Sequence, residues 1–170
     1  MEIPLERWNP FFSLTGLVVA VLAGLLLVAV MAHREKWPAA EAETRLRRAK
    51  RSFADYFFVL LISAIFLIPD QGNVFVAAEL FVVGAHRTMR LLRQARRQKL
   101  NPAQCLKNGA AASEFALPGL CSAGLVVSSA LFYFDVNLAP YLVAPIVILF
   151  TASASWEAWL LLASDQESAN

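Results

Sequence analysis

The chain has 170 residues, 58% of them hydrophobic and 16% charged, with a net charge of +2. A soluble domain is typically about 45–50% apolar and about 25% charged, so the excess must sit in long apolar runs. Those runs exclude an ordinary water-soluble core and predict an all-α integral membrane protein formed as a single domain.

Five apolar segments follow one another, at about 11–32, 53–69, 73–90, 112–134 and 138–163. The first, Phe11 to Ala32, is long enough for about 30 Å of hydrocarbon. Gly16, Ala20 and Gly24 recur every fourth residue, which predicts a small-residue face for close helix packing. A cleaved signal peptide is not expected. The first residues hold Glu2, Glu6 and Arg7, the apolar run is too long, and the basic residues follow it.

His33 to Arg51 holds seven of the fifteen Lys and Arg residues. Its Glu41–Arg51 part is rich in helix formers and either lies along headgroups or extends the next helix. Ser52 followed by Asp55 fits a helix start. Pro69 to Asn73 is a compact turn.

The third segment is the ambiguous one. Val74 to Ala85 is only twelve residues, interrupted by Glu79, and spans about 18 Å. It then continues as a basic helix with Arg87, Arg90, Arg93, Arg96 and Arg97 until Asn101-Pro102 stops it. If it crosses, both basic clusters share one side, and the turns at Asp70 and Asp135 carry no Lys or Arg. That favours five spans, with the N-terminus outside and the C-terminus cytoplasmic. The alternative is four spans with 73–86 re-entrant. Pro118-Gly119 marks a kink in segment 4, and Asp135 to Asn137 turns the chain into segment 5.

Trp8, Phe11, Phe12, Tyr133 and Tyr141 fall at the outer boundary. Trp37, Tyr56, Trp156 and Trp159 fall at the inner one, as headgroup-seeking aromatics do.

Four carboxylates enter or border these spans. Asp55 and Glu114 are expected in first helical turns, where a carboxylate meets free amides. Glu157 is expected at interface depth. Glu79 is expected near the midplane, where an unpaired charge costs roughly 2.5–3.5 kcal/mol. It therefore either pins packing, with Ser63 as one partner, or lines an ion path. His86 lies on the same helix face, seven residues on.

Arg45, Arg47, Arg48 and Arg51, with the Arg87–Arg97 series, are read as a basic cytoplasmic surface suited to anionic lipid headgroups. Stacking aromatics are missing there, so nucleic acid is not expected. Cys105 and Cys121 form neither a disulfide framework nor a metal motif. No hydrolase, phosphate-loop, zinc or dinucleotide signature appears, so neither an enzyme nor a cofactor is expected.

The pattern Trp8-x-x-Phe11, Gly16, Ala23-Gly24-Leu25, Ala29-Val30, Leu67-Ile68-Pro69-Asp70-Gln71 and Glu79-Leu80 resembles a group of small bacterial multi-pass inner-membrane proteins. Some of these are labelled modulators of a membrane-bound AAA protease. The resemblance covers about the first ninety residues and implies an inner-membrane protein. Two function classes follow from the whole reading. One is an interaction or sensor subunit, homo-oligomeric, that displays basic segments to a partner. The other is a channel-forming homo-oligomer with Glu79 on a cation or proton path.

Overall fold

The computed structural model describes residues 5–33, 37, 39–97 and 109–167, with side chains described for 5–33, 37, 42–93 and 118–160. The expected loop cysteine Cys105 and the Asn101-Pro102 helix stop lie outside these residues. Among the described residues the chain forms a short 3-10 turn, Leu5–Trp8, then five α-helices and no strand. The helices are α1 (Asn9–His33), α2 (Ala39–Leu67), α3 (Asn73–Arg97), α4 (Gly109–Tyr133) and α5 (Ala139–Glu167).

Helix α2 corrects one sequence expectation. It begins at Ala39 and not at Ser52, so the Glu41–Arg51 part extends α2, one of its two expected placements, and Ser52 and Asp55 lie mid-helix. The Ala, Glu, Leu and Arg residues before Ser52 are strong helix formers and carry the helix straight through. Helix α4 likewise starts at Gly109, which puts Glu114 beyond the first turn. Its side chain is outside the described set. Helix α3 runs unbroken from its apolar half through Arg90 and Arg93 to Arg97. Helix α5 passes the expected end at Ala163 and reaches Glu167.

Two compact units can be distinguished. In one, Arg7–Leu67 joins the part of α5 from Val147 onward. Here α1 and α2 form an antiparallel hairpin. Pro10 sits in the first turn of α1, where its missing amide costs nothing. Phe12, Val19, Ala23 and Leu26 form the buried stripe of α1. Phe12 stacks on Phe66 with ring centroids 3.9 Å apart. One turn along, Gly16 lets the backbone of α1 approach Ser63, since a Cβ there would lie 3.2 Å from Ser63 Cβ. Ala20 and Gly24 do not share this face. Both are exposed, and a Cβ on Gly24 would meet nothing within 4 Å. The four-residue small stripe is thus a packing face only at its first member.

The other unit holds Ile68–Ile146. Helices α3 and α4 again run antiparallel. Val76, Ala77 and Leu80 are buried on α3, with Leu125 and Phe132 buried on α4. Gly84 is the close-approach position, where a Cβ would sit 3.1 Å from Val126 Cγ2 and 3.3 Å from Leu125 Cβ. Ser129 Oγ donates to the Ala77 carbonyl at 2.8 Å, a side-chain bond between the two helices.

Both interhelical turns use an aspartate in the left-handed region, Asp70 at φ 54° and Asp135 at φ 53°. At the end of α4 the amide of Val136 bonds to Leu131 O at 2.9 Å, and that of Asp135 to Phe132 O at 3.2 Å. This is the Schellman closure of a helix, with aspartate taking the place usual for glycine.

Among the described residues, two helices are long and apolar enough to cross a bilayer by themselves. The most apolar 18-residue stretch of Leu5–His33 has a mean hydropathy of 2.8 and is 17% buried, and that of Ala139–Leu160 has 1.5 and is 39% buried. Pro118–Tyr133 is a shorter apolar helix. Among the described residues, length and apolarity therefore identify two such helices rather than the five expected: charge occupies the first half of α2 and the second half of α3, and the described part of α4 is shorter.

Candidate functional site

Two groups of polar side chains stand out against the apolar helices, one in each unit. The first surrounds Glu79. Gly72 O accepts the amides of Phe75 and Val76, which starts α3 directly after the turn. Gln71, still in the turn, reaches along the helix, and its Nε2 donates to Glu79 Oε2 at 2.7 Å. The side chains of a helix tilt toward its N-terminus, which brings the Glu79 carboxylate back toward Gln71. The carboxylate is consequently tied to the turn, and Gln71 takes the place expected for Ser63. Asn73 Nδ2 donates to Asp135 Oδ1 at 2.9 Å, so the two turns of this unit are joined. His86 is exposed on the same helix, seven residues on.

The second group lines α2 and α5. Ser52, Asp55 and Tyr56 are buried on one face of α2. Tyr56 Oη lies 3.0 Å from Ser155 Oγ. Ser155 already donates to Thr151 O at 2.8 Å, so the phenol is the donor and Ser155 the acceptor. Ser52 Oγ donates to Glu157 Oε2 at 3.5 Å, and Arg51 Nε lies 3.8 Å from Glu157 Oε1. Glu157 is thus a link between helices as well as a residue that touches water.

The basic residues divide in a way the sequence did not show. Arg45 and Arg87 are buried, at 9% and 5% exposure, and leave the expected basic surface. Each falls on the inward face of its helix, and Arg87 follows Val76, Leu80 and Gly84 along the buried stripe of α3. Arg51 is partly covered and paired with Glu157. Arg47, Arg48, Arg90 and Arg93 are exposed and remain. Arg47 has Glu43 at 4.0 Å on the same exposed helix face, a weak pair. The side chains of Arg96 and Arg97 lie outside the described set.

No protein-family model, curated protein or solved structure matches the chain. Among the described residues, no group of three or more His, Cys, Asp or Glu side chains is placed to hold a metal ion. Chemically, the Glu79 group supplies hydrogen bonds that tie a turn to its helix and one turn to the other, and the second group supplies hydrogen bonds and one ion pair between α2 and α5.

Gln71, Asn73 and the Tyr56–Ser155 pair were not singled out as functional from the sequence. Gln71 and Glu79 are eight residues apart, and Tyr56 and Ser155 are 99 apart. Neither spacing is a helical one.

Proposed function

We propose that this chain is a small integral membrane protein that presents basic helix ends to a partner, and that Glu79 is a packing residue rather than the lining of an ion path. The observation that carries the choice is the Gln71–Glu79 hydrogen bond. A carboxylate on a conduction path must exchange partners with passing ions and water. This one is held by an amide from its own hairpin.

Membrane embedding is supported by the outward face of α1. Leu14, Leu17, Val21, Leu25 and Val28 are all exposed. Soluble monomers rarely expose apolar patches beyond a few hundred Å². The exposed Tyr133, Phe134 and Tyr141 at one end of the chain's apolar segments, and Trp156 and Trp159 at the other, suit two headgroup belts.

In this reading α2, α3 and α4 cross as well. The arginines of α2 and α3 then share the cytoplasmic side of a bacterial inner membrane, and the Asp70 and Asp135 turns face outward. Arg47 and Arg48 in one unit, and Arg90 and Arg93 in the other, are the exposed cations each unit offers a partner.

The test combines topology and flux. With Cys105 and Cys121 replaced, cysteine at Asn137 labels from outside intact cells, and cysteine at Arg93 does not. Liposomes containing the wild-type protein pass no ions across several gradients. A flux that Glu79→Gln alters would replace this reading with a pore.

A further inference from the structure

The α1–α2 hairpin contains a groove that neither polar group uses. Leu26, Leu27 and Val30 from the last turns of α1 line it, with Leu46, Ala49 and Phe53 from α2. Its volume is about 250 Å³. Lys50 is the one charged residue in the lining. It is exposed and forms no ion pair among the described residues.

Three properties define the occupant. The lining is almost wholly hydrocarbon, so a polar ligand would lose its hydrogen bonds with water and gain few in return. At about 250 Å³ the groove lies below the roughly 300–1,000 Å³ typical of sites for drug-sized ligands, so its occupant is slim. A thin flexible hydrocarbon chain fits. The uncompensated ammonium of Lys50 at the edge of the groove adds a requirement for negative charge at one end of that chain. Arg47, one turn earlier and 69% exposed, adds to the positive field there.

We infer that the groove binds one acyl chain of an anionic phospholipid, with Lys50 holding the phosphate. The inference rests on the membrane reading above and adds a defined lipid site to it. Trp37 provides a natural reporter. It is buried against Val30, Ala42, Leu46 and Ala49, and three of those residues also line the groove.

The experiment uses the full chain with Trp8, Trp156 and Trp159 changed to Phe, leaving Trp37 as the sole fluorophore. The protein is reconstituted into phosphatidylcholine vesicles that contain brominated phosphatidylglycerol or, separately, brominated phosphatidylcholine. The expected result is half-maximal quenching at a several-fold lower mole fraction of the anionic lipid. Lys50→Ala equalises the two lipids and Lys50→Arg keeps the preference. Leu27→Phe, which fills the groove from its rim, weakens quenching by the anionic lipid, and Ala49→Phe does so from its floor.

Equal quenching by both lipids in vesicle-bound protein overturns the site and leaves the membrane reading standing. So does a preference indifferent to Lys50→Ala and Leu27→Phe. A Trp37 signal that follows protein density rather than lipid species assigns the groove to a second copy of the chain and also overturns it. Failure of the protein to float with vesicles removes the membrane reading and the lipid site together.

Discussion

Gln71 holds Glu79 from outside the helix that carries it: the amide nitrogen of the turn residue donates to the carboxylate at 2.7 Å. The other end of the Gln71 amide, Oε1, is buried and accepts no hydrogen bond. The carboxylate is therefore the partner that makes burial of this amide tolerable.

Glu79→Leu leaves the Gln71 amide without its acceptor, and a stranded buried polar group costs about 1–3 kcal/mol. Glu79→Gln keeps an acceptor oxygen at similar reach and is expected to be nearly neutral. Thermal unfolding of the three proteins in the same detergent measures the order. A Leu variant as stable as wild type would dissociate Glu79 from packing.

The two glycines of α1 are expected to behave differently despite their similar sequence surroundings. Gly16 faces Ser63 with no room for a longer side chain, so Gly16→Leu should cost about 1–3 kcal/mol through overpacking. Gly24 opens onto free space. Gly24→Leu is expected to be neutral or to gain up to about 1 kcal/mol from helix propensity. Equal losses at both positions would contradict the hairpin register.

Tyr56 and Ser155 make a directional bond, and the direction orders their variants. Ser155→Ala leaves a buried phenol proton with no acceptor, at about 1–3 kcal/mol. Tyr56→Phe removes that donor altogether, and Ser155 keeps its own bond to Thr151. Its cost is expected near 1 kcal/mol. Unfolding measurements that rank Tyr56→Phe as the more damaging would reverse the assignment of donor and acceptor.

Asp135 combines a left-handed backbone with the bond to Asn73. Asp135→Asn keeps both and should be silent. Asp135→Gly keeps the backbone and loses only an exposed hydrogen bond, at about 0.5–1 kcal/mol. Asp135→Val loses the bond and adds about 1–2 kcal/mol of left-handed strain. Stability falling in the order Asn, Gly, Val is the expected series, and Val equal to Asn would show that the turn does not need this conformation.

The helices and both tight turns were legible because apolar runs and turn residues act locally. The start of α2 was left open between two readings because Ser52-x-x-Asp55 is also a local pattern, and the helix formers before it outweighed it. Burial of Arg45 and Arg87 was not legible. Which face of a helix points inward depends on the partner helix, and charge alone suggested solvent. Gly16 and Gly24 looked equivalent for the same reason. At the candidate site, Glu79 was conspicuous as a lone charge, but Gln71 was not. A side chain reaching from a turn onto a helix follows no periodicity. Tyr56 and Ser155 meet only through the tertiary fold.

The discontinuity of the unit built on α1 and α2 has a consequence for the order of synthesis. Its hairpin emerges early, yet Tyr56 must wait for Ser155, 99 residues later. At typical translation rates of 5–20 residues per second that interval lasts roughly 5–20 s. Throughout it, the Tyr56 phenol on the buried face of α2 is without Ser155, its acceptor. The Ile68–Ile146 unit is complete in sequence by Ile146, before the α5 residues of the other unit are made. The first hairpin made is thus the last unit finished.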